Sequence, residues 1–361
     1  MKFIAPRSGA TDYAAFFECA AADRLALLRF MEYVTREQVY ERILALDKFK
    51  PSELWKGWVA GTFVGFSSEQ VMYKSGHRFL PAALLKYDAA YARFSLRGVV
   101  SRLASVLLQA RAAAREQYDA PEHQLRAFRR FYPDAAVPPV HKALLETHPL
   151  PYLRALEVLN VGRYQPRSRV LEVGAGACAN LALLRMQFGV KAVIVDLPET
   201  MYAGYLLLRT LFPAATIALP NDVAAADGST DLPDYDFVFL LPTQIDRIPA
   251  GAFDHAFNMS SFQEMELGVV NNYLAVMRRA LMPGGTVVLC NLEVSRQIDG
   301  NAVAKYDLSG FDAVTYHDAP YQNWGLRNIP GLRQQVVVAK SAAAGVAAES
   351  SKRAAVRISG T

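Results

Sequence analysis

Hydrophobic and polar residues follow two different patterns along the chain. Over residues 16–46 apolar side chains recur at helical intervals, and residues 81–118 are rich in alanine and leucine, so the N-terminal part is predicted to be mostly helical. From residue 169 onward, short apolar runs alternate with longer amphipathic stretches, which indicates an α/β fold with a doubly wound parallel sheet. The predicted organisation is a helical region over 1–150, an α/β domain over 151–340 and a disordered tail over 341–361.

Six apolar runs are predicted to form the sheet, with helices between them. They cover residues 169–174, 192–195, 237–241, 253–257, 286–290 and 334–339, the last as an antiparallel edge strand. A shorter run, 216–219, is the alternative to 237–241 as the third strand of the sheet. We favour 237–241, because 253–257 directly precedes the amphipathic helix 266–281 and so takes the fourth position.

The first predicted strand leads into a glycine turn and then a helix. Gly174 and Gly176 let the backbone turn sharply and approach a ligand closely, and such a unit is a nucleotide-cofactor site in doubly wound folds. The spacing Gly174-x-Gly176-x-x-Ala179 also fits the dinucleotide fingerprint, which is a weak signal by itself. Glu172 favours S-adenosylmethionine (SAM) instead, because Glu-x-Gly-x-Gly at the end of a first strand resembles motif I of the class I SAM methyltransferases.

The carboxyl ends of the predicted strands define the expected site, since ligands of open α/β sheets bind there. Asp196 closes the second strand, where an acid can accept both ribose hydroxyls; its alternative role is a helix N-terminal carboxylate. Thr243 and Gln244 follow the third strand, near the expected adenine, and Asn258 closes the fourth. The predicted cofactor-binding residues are Glu172, Gly174, Gly176, Asp196, Thr243, Gln244 and Asn258.

Several motifs in order resemble the bacterial sugar O-methyltransferase family. They are Val-Leu-Glu-Val-Gly-Ala-Gly-Ala (170–177), Val-Asp-Leu-Pro-Glu-Thr (195–200), Phe-Leu-Leu-Pro (239–242), Phe-Asn-Met-Ser-Ser-Phe-Gln-Glu-Met (257–265) and Leu-Met-Pro-Gly-Gly (281–285). The resemblance covers roughly residues 150–300. It implies a Rossmann-like class I methyltransferase fold, a SAM cofactor and a sugar or glycan acceptor in surface glycan synthesis. The alternatives are a small secondary metabolite as acceptor, a NAD-binding oxidoreductase, and a binding protein without turnover.

Two residues are candidates for the base that methyl transfer to a hydroxyl group requires. The reaction is an in-line displacement, and an alcohol becomes a good nucleophile only as its proton leaves. Glu264, just past the fourth predicted strand, is the first candidate; its alternative role is a capping box with Ser260 or Ser261. His317, expected in a loop after the fifth strand, is the second; its alternative is an exposed side chain without a role.

The N-terminal region carries no motif of defined chemistry. It could cover the catalytic domain, supply acceptor contacts or form a homodimer. Trp55 and Trp58 could stack on a sugar ring, although a place in the core is the favoured interpretation.

Composition limits the other classes of function. The 361 residues carry a net charge of +5 with lysine and arginine spread along the chain, so no nucleic-acid surface is indicated, while a weak contact with an anionic membrane surface stays open. Cys19, Cys178 and Cys290 are far apart, so neither disulfides nor a zinc site is expected, and no other cluster has metal-ligand spacing. Without a signal-peptide run or a spanning helix, we expect a cytoplasmic protein.

Overall fold

The computed structural model describes residues 2–4, 14–53, 55, 62–74, 164–225, 232, 234–295, 298–318 and 334–341. The helical segment predicted over 81–118 lies outside these ranges, as do Trp58 and the predicted tail beyond residue 341.

The described elements alternate between strands and helices after residue 164. In chain order they are β1 (Lys2–Ile4), β2 (Ala14–Glu18), α1 (Ala21–Arg36), α2 (Val39–Leu44), β3 (Phe63–Phe66), β4 (Gln70–Lys74), β5 (Arg169–Val173), α3 (Ala179–Phe188), β6 (Lys191–Val195), α4 (Pro198–Leu211), β7 (Ile217–Ala218), α5 (Pro220–Ala225), β8 (Phe237–Leu240), β9 (Phe253–Met259), α6 (Leu267–Ala280), β10 (Leu281–Leu292), β11 (Ala313–Asp318) and β12 (Gln334–Lys340). Short 3₁₀ helices cover Pro242–Arg247, Phe262–Glu264 and Val303–Lys305.

Eight strands form one sheet in the order β11-β12-β10-β9-β5-β6-β8-β7. β5 is parallel to β6 on one side and to β9 on the other, and the parallel set continues through β8 and β7 and through β10. β12 runs antiparallel to both β10 and β11. This is the predicted Rossmann-like, doubly wound sheet. Its strand order reverses between β5 and β9, because successive strands are added on one side of β5 up to β8 and on the other side from β9, and such folds bind ligands at this point.

The parallel strands are apolar on both faces because helices cover both. Val170 and Ile194 belong to the core on the side of α3 and α4, whereas Leu171 and Val193 belong to the core on the side of α6. Strands buried in this way read as continuous apolar runs, which is why the sequence located them. A polar residue at a buried position of these strands therefore departs from the apolar pattern of its neighbours.

Two predictions about the sheet have different outcomes. The choice of 237–241 as the third strand is confirmed, because β8 lies beside β6 while 216–219 contributes only the two-residue β7 at the edge. The run 334–339 is antiparallel as predicted, but its assignment to the edge is wrong, since β11 covers it. The sequence missed β11 because an edge strand with exposed residues, such as Ala313 and Thr315, carries little apolar signal.

The N-terminal region departs from its predicted helical character. The helix expected over 16–46 begins only at Ala21, since 14–18 form β2. β2 pairs with β1 and β4, and β3 pairs with β4, which gives a four-stranded antiparallel sheet. These short strands are rich in aromatic residues and pair with strands that are distant in sequence, as when Phe16 pairs with Met72. Local periodicity therefore did not identify them.

This region is joined to the α/β domain through α4. The Phe30 ring lies 5.1 Å from the Tyr202 ring. The buried Asp23 carboxylate accepts hydrogen bonds from Tyr205 Oη at 2.9 Å and from Arg209 Nε at 2.8 Å. The N-terminal residues thus share a core with the α3 and α4 face of the large sheet.

Candidate functional site

The glycine turn between β5 and α3 touches the loop that follows β9. Gly174 and Gly176 have φ values of +73° and +55°, a region that glycine adopts without strain. The Gly174 N–H donates to the Val195 carbonyl oxygen at 2.8 Å. A Cβ atom at position 174 would overlap the Ser261 side chain. The turn therefore requires glycine both for its backbone shape and because the neighbouring loop leaves no room.

Asp196 binds the glycine turn to the end of β6. Its Oδ2 accepts the Gly176 N–H at 2.7 Å, and its Oδ1 accepts the Leu197 N–H at 2.8 Å. Burial raises the pKa of this carboxyl group to about 6, against hydrogen bonds from the backbone of Leu197 and the side chain of Thr200. A carboxylate has about four acceptor positions, and three backbone N–H groups and the Thr200 side chain already act on this one, so a ligand donor would share or replace one of these contacts.

Glu172 is fully buried on β5, on the same face as α3. Its Oε1 accepts a hydrogen bond from Asn180 Nδ2 at 3.4 Å, while Oε2 has no hydrogen-bond partner in the described structure. Burial raises the pKa of Glu172 well above its usual value, and the Asp196 carboxylate adds to the rise. A buried carboxyl oxygen without a partner is costly, and the described residues leave this position open to a further hydrogen-bond partner.

The side chain of Gln244 stabilises the turn after β8, to which Gln244 itself belongs. Gln244 Oε1 accepts the Leu241 N–H at 3.0 Å, and Nε2 donates to the Pro220 carbonyl oxygen at 2.9 Å. The side chain predicted to reach a cofactor is thus largely used to tie this turn to α5. Thr243 lies partly exposed in the same turn.

Asn258 at the end of β9 uses its whole hydrogen-bonding capacity inside the protein. Nδ2 donates to the Val173 carbonyl oxygen at 2.7 Å and to Ser261 Oγ. Oδ1 accepts the Phe262 N–H at 3.2 Å and Asn291 Nδ2 at 3.0 Å. Since two donors and two acceptor positions exhaust an amide, the predicted cofactor ligand is occupied with joining β5, β10 and the loop after β9.

More amides continue this network around residues 260–266, which we call the 260–266 loop. Asn291 Oδ1 accepts the Gln263 N–H at 3.2 Å, and Gln263 Oε1 accepts the Leu292 N–H at 2.8 Å. Asn301 Nδ2 donates to the Phe262 carbonyl oxygen at 2.7 Å. Sequence analysis missed Asn291 and Asn301, both of which are buried. The signal for Asn291 was its polar side chain beside the apolar run 286–290.

Glu264 is presented by this loop at the end of the 3₁₀ helix Phe262–Glu264. The capping box with Ser261 is not observed, because Ser261 makes no side-chain cap and its Oγ lies with Asn258 and the Val173 carbonyl instead. Burial raises the pKa of Glu264 to about 7; the Trp55 side chain opposes the rise and the Asp196 carboxylate adds to it. The loop thus brings Glu264 within electrostatic range of Asp196.

His317 lies in a different place from the other candidates. It belongs to strand β11, where it pairs with Val336, and not to a loop after the fifth strand. β12 and β10 separate it from β9, which is about 14 Å at the usual strand spacing. The fold does not bring His317 beside β5 and β6, so its role as a base stays a prediction without a supporting contact.

The described residues include all three cysteines of the chain. Cys19, Cys178 and Cys290 are buried and form no disulfide with one another. Among the described residues, no group of three or more His, Cys, Asp or Glu side chains could hold a metal ion. Within the same ranges, no helix combines the length and apolar character needed to cross a membrane.

No protein-family model and no curated protein matches the chain. Similar solved structures include a phosphoethanolamine N-methyltransferase of Haemonchus contortus with S-adenosylhomocysteine (11% identity, TM-score 0.40, covering 76% of this chain and 64% of that one). A geranyl diphosphate C-methyltransferase of Streptomyces coelicolor, also with S-adenosylhomocysteine, has 14% identity and a TM-score of 0.39, covering 64% and 97%. The [4+2]-cyclase SpnF has 11% identity and a TM-score of 0.38, covering 59% and 86%. These scores support no inference about activity, and the fold assignment rests on the strand order.

Proposed function

We propose that the protein is a SAM-dependent methyltransferase whose cofactor lies across the carboxyl ends of β5, β6 and β8. The observation that carries this proposal is the glycine turn bonded to the buried Asp196 carboxylate, at the carboxyl ends of β5 and β6 and next to the point where the strand order of the sheet reverses. Bound there, SAM would supply a methyl group on a positively charged sulfur atom, which a nucleophile can displace.

The residues along this edge fit the parts of such a cofactor in order. Asp196 would accept the ribose hydroxyls by sharing or replacing part of its present hydrogen bonds with the protein. Gly174 and Gly176 would let the backbone pass close under the amino-acid part. The unpartnered Glu172 oxygen would accept a donor from that part, and the turn with Thr243 would lie against the adenine.

Glu264 is the base in this proposal. It would accept the proton of the acceptor hydroxyl as the new carbon–oxygen bond forms, so that its negative charge and the positive charge of the cofactor disappear together. A pKa of about 7 suits this role, because a base is most effective when its pKa lies near the working pH. Asn258 and Asn291 would act by positioning the loop that carries Glu264.

The acceptor that we propose is a sugar hydroxyl, in surface glycan synthesis. Its support is the resemblance of residues 257–265 to sugar O-methyltransferases, together with a base set beside the cofactor edge. A hydroxylated small metabolite would use the same chemistry, so the test must separate the two acceptors.

Label transfer is the direct test. The full-length protein is incubated with methyl-labelled SAM and, separately, with glycan fractions and small-molecule extracts of its host. We expect label in a glycan fraction; label only in the small-molecule extract would overturn the sugar acceptor and keep the methyltransferase. Calorimetric titrations with SAM and with NAD⁺ complete the test, since binding of NAD⁺ without SAM would overturn the whole proposal.

Asp196→Ala should weaken SAM binding by about 100-fold, because roughly 2–3 kcal/mol of charge-assisted hydrogen bonding is lost. The matched control is Asp254→Ala, since Asp254 Oδ2 also accepts a backbone N–H, that of Arg169 at 2.8 Å, but at the start of β9 and β5. Calorimetry should find the affinity of the control unchanged. Equal affinity in both variants would remove Asp196 from the ribose site.

A further inference from the structure

β10 continues into a segment that folds back against the 260–266 loop. We call its described residues, 293–295 and 298–303, the hairpin. An antiparallel bridge joins its two arms, and the Ser295 N–H donates to the Asn301 carbonyl oxygen at 2.8 Å. The hairpin is thereby an extension of the large sheet, and its side chains keep a fixed position beside this loop.

The hairpin binds backbone carbonyl groups on both sides of Glu264. Asn301 Nδ2 donates to the Phe262 carbonyl oxygen at 2.7 Å and to the Met265 carbonyl oxygen at 2.5 Å. A primary amide has two N–H donors, so Asn301 can bind both carbonyl groups at once. The Asn301 side chain is buried, with 1% of the residue exposed, so water cannot take over these two hydrogen bonds while the fold stays as it is.

The 260–266 loop depends on contacts from outside because its own backbone supplies little support. Its helical part is a single 3₁₀ turn, Phe262–Glu264, a helix type with poorer hydrogen-bond geometry than the α-helix. Ser260 has a φ of +66°, and a left-handed conformation at a residue other than glycine persists only where the surrounding structure determines it. Ser295 Oγ also donates to the Gln263 carbonyl oxygen, at 2.5 Å, so both arms of the hairpin hold the loop.

We propose that Asn301 is a positioning residue, whose amide fixes the place of Glu264 at the acceptor side of the site by holding the carbonyl groups on both sides of it. Asn258 and Asn291 bind N–H groups that precede Glu264, whereas Asn301 spans the residue itself. The inference deepens the proposed function and rests on it, since a fixed Glu264 serves methyl transfer only if Glu264 is the base.

The pKa of Glu264 shows whether this side chain keeps its place. Burial raises the pKa to about 7, and the Asp196 carboxylate adds to the rise. A loop released from Asn301 lets water reach the Glu264 carboxyl group, and hydration favours the ionised form. The release therefore lowers the pKa towards the ordinary value of 4.5. If Asn301 only added stability, the folded variant would keep the pKa of Glu264 unchanged.

Asn301→Ala tests the inference, because it removes both N–H donors. The full-length protein is labelled with ¹³C at glutamate Cδ, and its carboxyl signals are titrated by NMR, with Glu264→Gln to assign the signal. We expect Asn301→Ala to lower the pKa of Glu264 by about one unit, as the carboxyl group becomes hydrated. An unchanged titration in the folded variant would overturn the positioning role.

Thr286→Val is the matched control, since it removes another buried hydrogen bond of β10, between Thr286 Oγ1 and His255 Nδ1 at 2.6 Å, far along the strand from the hairpin. It should leave the Glu264 titration unchanged, and equal shifts in both variants would assign the effect to general loosening and overturn the proposal.

A milder variant is available if Asn301→Ala does not fold. Asn301→Ser keeps one hydroxyl donor and should lower the pKa of Glu264 by a smaller amount; a titration identical to that of the wild type would overturn the proposal in the same way. The titration needs no acceptor, so its failure is distinct from a failure of label transfer.

Discussion

Two adjoining halves of the candidate site are built in different ways. At the ends of β5 and β6, one glycine turn and one carboxylate, Asp196, make the contact through backbone N–H groups. At the end of β9, buried amides from separate strands and loops, including Asn258 and Asn291, hold the 260–266 loop. The first half depends on a local backbone shape, and the second depends on the agreement of many distant segments. The proposed cofactor side thus depends mainly on residues that are close together in the chain, whereas the proposed acceptor side depends on contacts between distant segments.

We expect the largest effect from a substitution at Gly174, where the two halves of the candidate site are in contact. Gly174→Ala places a methyl group against the Ser261 side chain and forces alanine to a φ of +73°. We expect the free energy of unfolding to fall by roughly 3–5 kcal/mol, measured by urea denaturation.

Gly251→Ala is the control for this change, because Gly251 has a similar φ of +62° and open space around its Cβ position. It should cost only about 1 kcal/mol of unfolding free energy. Equal losses in the two variants would mean that the glycine turn and the 260–266 loop do not constrain each other.

Asn258→Ala tests the second half alone. The change leaves the buried Val173 carbonyl, the Phe262 N–H and the Asn291 amide without this partner, so we expect a loss of about 3 kcal/mol in unfolding free energy. Asn271→Ala removes a single exposed hydrogen bond, to the Asp307 N–H, and should cost less than about 1 kcal/mol. A stable Asn258→Ala protein with strongly weakened SAM binding would instead make Asn258 the direct cofactor ligand that the sequence predicts.

The same contrast explains how much could be predicted from the sequence. The β5 strand, the glycine turn and Asp196 lie close together in the chain, and their apolar runs and spacing identified them. Asn291 contacts Asn258 only because β10 pairs with β9, and Asn301 contacts the Phe262 carbonyl oxygen across 39 positions of sequence. No local pattern encodes such pairings, which is also why β2 was missed. The sequence predicts Glu264 as the base, but it does not reveal the contacts that hold the 260–266 loop.

The smallest effect concerns Glu199, in the first turn of α4 beyond Asp196. Both of its carboxyl oxygens are buried without a hydrogen-bond partner in the described structure, and burial raises its pKa from 4.5 to about 7. The folded protein thus binds this proton more tightly than the unfolded chain does. Its contribution to stability is complete below about pH 4.5 and is lost as the pH rises through about 7. Glu199→Gln should therefore stabilise the protein by about 2–3 kcal/mol at pH 8 and by less than about 1 kcal/mol at pH 5.

Denaturation curves at several pH values would show which half of the site contains the buried carboxyl group whose ionisation destabilises the protein. The exposed Glu69 supplies the control, since Glu69→Gln should leave the pH dependence of the unfolding free energy as it is in the wild type. Glu264 has a raised pKa for the same reason, so Glu264→Gln should remove a further part of the slope between about pH 4.5 and 7. A slope that survives Glu199→Gln but disappears in Glu264→Gln would contradict the prediction, because the penalty would then lie wholly on the acceptor side.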